Sequence, residues 1–198
     1  MRAGERLFAS EGIDRVQLRD INGLAGQRNE SALHYHFGSR QGLLEEILAR
    51  HGHHVQERTR QLLDRQDGRS RRDLRFLIGA LVVPLSEKLG SEDGRDYLRI
   101  LAQALGRGEL PHGGTLAAPW VAPPVRRCLD EIERRLGRLP DELRRERTAR
   151  LSELVLVSMA GRARQIEEGR PPIVNEPTFV ANLIEMSVAA LSAPLPHG

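Results

Sequence analysis

Residues 31–48 read SALHYHFGSRQGLLEEIL, with His34, Tyr35, His36 and Phe37 in succession. Neighbours on a helix point about 100° apart. No single buried face can hold four adjacent bulky side chains, so some of them must point outward. Gly38 follows as a break, Ser39 is a candidate N-cap, and Leu43, Leu44, Ile47 and Leu48 open an apolar stripe at helical spacing. The stretch predicts a short helix with a mixed outer face, a tight break, and then a long amphipathic helix over about residues 40–64. At Gly42 a glutamate would have completed a capping box.

Apolar residues recur at spacings of three and four through most of the chain, and β-branched alternation is nearly absent, so the fold class is all-α. Upstream, a first helix contains Leu7 and Phe8 and stops at Gly12, placed for a left-handed C-cap. A second, about residues 17–24, offers Leu18, Ile21 and Leu24 to a core. The third, about 30–37, has Asn29 as its candidate cap. Downstream, RQDGRSRRD (65–73) is a polar break before LRFLIGALVVPLSEKL (74–89), which Pro84 should kink or interrupt. Further helices are expected at about 93–105, 125–137, 141–168 and 176–191, the last capped by Asn175. GRGELPHGGTLAAPWVAPP (106–124) is too rich in glycine and proline to be regular and reads as a long loop, while the terminal SAPLPHG reads as a frayed tail. The sum is about nine helices.

The 198 residues, 39% of them hydrophobic, suffice for a proper core. A formal charge of +3, from 30 basic and 27 acidic side chains, is too small to mark a nucleic-acid binder by itself. Through residue 60, nine arginines face eight acids, so any DNA binding must rely on placement rather than on bulk field. The single cysteine, Cys128, makes no intrachain disulfide and suits a reducing compartment. The start of the chain lacks the apolar run of a signal peptide, and no stretch approaches the roughly 20 apolar residues that cross a bilayer. A soluble, cytoplasmic protein is expected.

Three short helices with a glycine-containing turn between the second and third have the layout of a helix-turn-helix. Packing Leu18, Ile21, Leu24, Leu33 and Phe37 with Leu7 and Phe8 leaves Ser31, His34 and Tyr35 on the outer face of the third helix. A hydroxyl and an imidazole there suit phosphate oxygens or base edges. The segment LFASEGIDRVQLRDINGLAGQRNESALHYHFGSRQGLLEEIL (7–48) resembles the TetR family of transcriptional repressors. In that family the third helix carries Leu-Tyr-Tyr/His-His-Phe followed by Ser-Lys-Glu. This chain has Leu33-His34-Tyr35-His36-Phe37 and then Ser39-Arg40-Gln41.

The resemblance implies a helix-turn-helix DNA-binding domain over residues 1–38 and a helical regulatory and dimerisation domain over 39–198. It implies that His34 and Tyr35 contact the DNA backbone and that Arg40 stands in for a phosphate-reaching lysine. Gln17 takes the place of a usual threonine at the second helix's N-cap, where it can bond phosphate but caps poorly. Six residues separate Gly26 from Leu33 where the family has five. Arg28, Asn29 and Ser31 are therefore candidate DNA contacts without an assigned base code. Partners implied are double-stranded operator DNA, a second copy of the chain and a small apolar effector. The dimer would use Leu151, Leu154, Val155, Ser158 and Met159 against Phe179, Val180, Leu183, Ile184 and Ser187 in a four-helix bundle, with core packing inside one chain as the alternative. Candidate effector residues are Phe76, Leu77, Leu81, Leu98, Leu101, Trp120 and Val125.

A ligand-binding or adaptor protein of the same fold, without operator binding, is the second functional reading. A metal enzyme built on His51, His53 and His54 is the third. His51 and His54 share a helix face, but no carboxylate or cysteine completes a recognised metal spacing, and the plain reading is a solvated stretch of helix. Cys128 lacks an obvious partner base, and neither a Ser-His-Asp pattern nor a phosphate loop stands out. No enzymatic activity, cofactor or metal is expected. The charged run 126–150 reads as a solvated face with Asp130–Arg134 and Glu131–Arg135 helical pairs.

Overall fold

A computed structural model describes residues 1–26, 37–65, 73–106 and 123–195. They form α1 (Arg2–Glu11), α2 (Leu18–Leu24), α3 (Arg40–Asp64), α4 (Leu74–Ser86), a 3₁₀ turn (Glu87–Gly90), α5 (Glu92–Gly106), α6 (Pro123–Arg135), α7 (Asp141–Glu167) and α8 (Glu176–Ser192). No strand occurs among the described residues. The helix expected at 30–37 lies outside them but for Phe37, as does the loop reading of 107–122.

Most starts and stops follow local chemistry. Ser39 Oγ accepts the Gly42 N–H at 3.0 Å to open α3, and Asn175 Oδ1 accepts the Thr178 N–H at 2.9 Å to open α8. Gly42 is no missed glutamate: a Cβ there would sit 2.2 Å from the Phe37 carbonyl oxygen, so only glycine lets the preceding turn close over the helix start. The first two residues of α6 are Pro123 and Pro124, which the loop reading had claimed. First-turn N–H groups have no helical acceptor, so prolines fit there. Residues 193–195 are not frayed, because Arg147 donates to the carbonyls of Leu191, Ala193 and Pro194.

Pro84 does not interrupt α4, which runs on to Ser86. The missing proline N–H leaves the Ala80 carbonyl without its helical donor. Buried Thr59 of α3 supplies a hydroxyl to that oxygen at 3.1 Å. The two helices are thereby joined by a hydrogen bond that the proline made available.

One continuous core spans the molecule, from Phe8 and Ile21 through Leu43, Ile47 and Leu98 to Met159 and Leu183. Helix α5 is its centre, packing on α7 along one side and on α1 along another, while α4 packs against α3, α6 and α8. In α2 the expectation for Leu24 fails, since it is 55% exposed while Asn22 is buried. The 100° step explains this: Leu18, Ile21 and Asn22 share a quadrant, and Leu24 falls outside it.

Candidate nucleic-acid interface

The frame for a reading helix is the unit α1–turn–α2 on the start of α3. Helix α1 ends at Gly12, whose φ of 98° and ψ of 146° lie in extended glycine territory rather than in the left-handed cap expected. The turn then runs to Gln17, the extended N-cap of α2. Its backbone N–H is accepted by Asp20 Oδ2 at 2.8 Å, so the weak cap is supported by a carboxylate reaching back from the first turn. Gln17 itself is exposed.

Arg40, expected to reach phosphate, is half-buried beside this turn, and one of its terminal nitrogens donates to the carbonyls of Ile13 and Asp14 at 2.8 and 3.0 Å. A guanidinium has five donors, so these two bonds leave others for a further partner. Phe37 is half-buried against the core, as its place behind the outer face required. Arg28, Asn29, Ser31, His34 and Tyr35 lie outside the described residues.

Polar side chains from three helices hold this unit to the rest. Glu5 and His51 are both buried, and His51 Nε2 lies 3.1 Å from Glu5 Oε1. The imidazole also stacks on Tyr97 of α5 with centroids 5.1 Å apart. The solvated reading of the histidine stretch is thus wrong for His51 and holds for His53 and His54, which are exposed. Among the described residues no group of three or more His, Cys, Asp or Glu is placed to hold a metal. Arg2 donates from one nitrogen to Glu5 at 3.1 Å and to Asp96 at 3.0 Å. Burial pushes the Glu5 carboxyl up, but hydrogen bonds from His51 and Arg2 more than offset it and hold the group below its ordinary 4.5. For Asp96, burial prevails over Arg2 and the carboxyl is raised. At the other end of α1, the Gln103 side chain of α5 donates to the Phe8 carbonyl at 3.1 Å and accepts the Ile13 N–H at 3.0 Å. A lone glutamine 90 residues away gives no periodic signal in sequence.

The described candidate effector residues all belong to the core or its edge. Leu77, Leu98 and Leu101 are buried in the core, Phe76, Leu81 and Val125 are half-buried, and Trp120 lies outside the described residues. A recess of about 160 Å³ between α3, α4 and α6 is lined by Leu63, Leu77, Arg127, Cys128, Glu131 and Arg134, so among the described residues of that set Leu77 alone borders it. Cys128 donates its thiol to the Leu77 carbonyl at 3.2 Å, and burial raises it to about 12. In α6, Arg134 pairs with Glu131 at 2.5 Å rather than with the expected Asp130, and Arg135 pairs with Glu131 as well.

Of the ten candidate dimer residues, Leu151, Val155, Met159, Leu183 and Ser187 are buried inside this single chain. Ser158 is half-buried, as are Leu154, Phe179, Val180 and Ile184, which pack at the core's edge. The outer face of the same helices carries Val157 and Met186, 61% and 49% exposed. Near it a shallow recess is lined by Arg162, Gln165, Ile173, Val174, Phe179 and Asn182. There Arg162 lies over the Phe179 ring at 4.6 Å.

A short helix pair pinned on a larger helical body is the frame on which a helix-turn-helix is built. Residues 1–47 match the family model for "Bacterial regulatory proteins, tetR family". This amino-terminal unit is thus similar to that of the TetR family of transcriptional regulators. Among solved structures, a "Probable transcriptional regulatory protein RHA5900" superposes with a TM-score of 0.60 at 18% identity, covering 98% of this chain and 97% of its own. The fatty acid degradation regulator FadR from Bacillus halodurans gives 0.54 at 14% identity, covering 100% and 94%. The TetR family transcriptional regulator PfmR from Thermus thermophilus gives 0.50 at 18%, covering 98% and 100%. Identities this low speak for the fold alone. No curated protein matches the chain. No helix among the described residues is long and apolar enough to cross a membrane.

Proposed function

We propose that the chain is a cytoplasmic, homodimeric, ligand-responsive transcriptional repressor, with residues 1–38 as the DNA-reading domain and 39–198 as the regulatory and dimerisation domain. The observation that carries the reading is the family match over residues 1–47, laid on a frame whose α2 N-terminus is exposed at Gln17. Gln17, Arg28, Asn29, Ser31, His34, Tyr35 and Arg40 are the DNA contacts of this reading. His34 and Tyr35 bind phosphate, Gln17 adds a contact at the helix terminus where the dipole favours anions, and Arg40 turns its remaining donors outward.

A twofold pair of protomers supplies two reading heads, whose third helices must stand roughly 34 to 36 Å apart to enter successive major grooves. The outer faces of α7 and α8, with Val157, Met186 and the half-buried Leu154, Phe179, Val180 and Ile184, support an isologous contact. Residues already buried in the protomer back that contact rather than forming it. A small apolar effector would favour the state with wrongly spaced heads.

The experiment is a salt-titrated gel shift on the DNA upstream of the protein's own gene, with Tyr35→Phe and His34→Ala beside the wild type. With about 6 to 10 phosphate contacts per dimer, affinity should drop by about 10³ to 10⁵ between roughly 50 and 200 mM salt. Specific shifts absent at every salt concentration would sink the repressor reading in favour of a binding or adaptor protein.

A further inference from the structure

We propose that Gln103, on α5, is a positioning residue for DNA reading. Its side-chain amide holds the α1–α2 turn at the Ile13 peptide, so that α5 sets the angle of the reading unit. Only the DNA arm of the test below rests on the repressor reading.

Ile13 is the most constrained point of that turn. Its side chain is 2% exposed. Its N–H is accepted by Gln103 Oε1 at 3.0 Å, and its carbonyl accepts from Arg40 of α3 at 2.8 Å. The Gln103 NH₂ meanwhile donates to Phe8 at 3.1 Å, and the Phe8 oxygen is among the last four carbonyls of α1, which have no partner within the helix. One amide therefore closes both sides of the helix end. Gly12 makes the approach possible. Its φ of 98°, which side chains with a Cβ rarely adopt, carries the chain into the amide, while the space itself would admit a Cβ at an ordinary 3.6 Å from Gln103 Oε1.

Direction separates this contact from the apolar packing around it. Phe8 and Ile21 in the core resist separation but tolerate small slides, because burial is non-directional. Two hydrogen bonds of opposite sense on one planar amide fix both the distance and the angle between α1 and α5. The same helix packs on α7 along another side. Any shift of α5 against α7 is thus carried to residue 13, while α3 carries its own displacement there through Arg40.

The test compares Gln103→Met, similar in length but without the amide, and Gln103→Glu, which keeps the acceptor for Ile13 and loses the donor to Phe8. By hydrogen exchange and mass spectrometry, Gln103→Met should speed exchange across residues 1–24 about tenfold, Gln103→Glu by less, with α7 and α8 unchanged. In the DNA arm, the affinity ratio of a genomic fragment selected by the wild type over mixed-sequence duplex should fall about tenfold in Gln103→Met. The slope of log K against log salt should stay the same, because phosphate contacts are retained while register is lost. Unchanged exchange in residues 1–24, or acceleration spread equally over α7 and α8, overturns the proposal, and so does an unchanged affinity ratio. If the wild type selects no fragment, the repressor reading falls, and the exchange arm alone decides whether Gln103 holds the turn.

Discussion

The two ends of the protein are finished in opposite ways. At the amino end, α1 is closed off within one chain: Phe8 is fully buried, Glu5 meets His51 and Arg2, and Gln103 occupies the Phe8 carbonyl and the Ile13 N–H. At the carboxyl end, α7 and α8 bury Met159, Leu183 and Ser187 inward yet leave Val157 and Met186 in solvent on the outer side. A surface completed with directed polar contacts fixes an orientation. One left apolar and small is suited to association, where burial itself supplies the driving force. The contrast matches the two duties proposed, holding a reading head at an angle and pairing two copies.

The largest test of that contrast is Phe8→Ala. Emptying a fully buried aromatic site should cost about 3 to 5 kcal/mol in urea unfolding, and a loss under about 1 kcal/mol would show that α1 is not integral to the core. Next comes His51→Leu, which removes a donor from the buried Glu5 carboxylate and should cost about 1.5 to 3 kcal/mol. Exchange should rise first in α1.

Acidification probes the same pair. Glu5 has its pKa lowered on folding, so the stability it contributes is present above the ordinary value of 4.5 and is lost as pH falls through the folded value. The stability gap between wild type and Glu5→Gln, followed by thermal melts from about pH 6 to 3, should therefore shrink toward acid. Asp96, raised by burial, works in the opposite sense and shares Arg2 with Glu5, so the comparison is repeated in an Asp96→Asn background. A gap that widens toward acid would contradict the assigned direction.

Thr59→Val should cost about 1 to 2 kcal/mol by stranding the Ala80 carbonyl opposite Pro84, measured as a drop in denaturation midpoint. Smallest in protomer stability is the pair Val157→Glu and Met186→Glu, within about 0.5 kcal/mol for exposed positions. Sedimentation should nevertheless show weakened self-association. Unchanged association with both substitutions present would remove the outer faces of α7 and α8 from the proposed dimer contact.

Local rules carried far along this chain. Ser39 and Asn175 announced the starts of α3 and α8, and the apolar stripe from Leu43 to Val55 drew α3 to within a residue of its observed ends. They failed where a side chain's partner stands on another helix. His51 reads as one more member of a solvated histidine run until Glu5 and Tyr97 come to it from two other helices. Leu24 passes for core until the seating of α2 on its neighbours leaves it 55% exposed. Arg40, which keeps its place among the proposed phosphate contacts, has a second partnership that no local rule gives, since only the fold brings the Ile13 and Asp14 carbonyls within its reach.

Helical period, caps, breaks and the recognition-segment pattern are written in neighbours a few positions apart, and backbone geometry ties such spacings directly to structure. The all-α class and the family likeness of the amino-terminal unit were legible for that reason. Which polar groups are buried together, and which apolar ones stay outside, depends on contacts across as many as 95 residues, as between Gln103 and Phe8. Those meetings exist only once the helices have packed, since a hydrogen bond requires a distance and an angle that no spacing along the chain encodes.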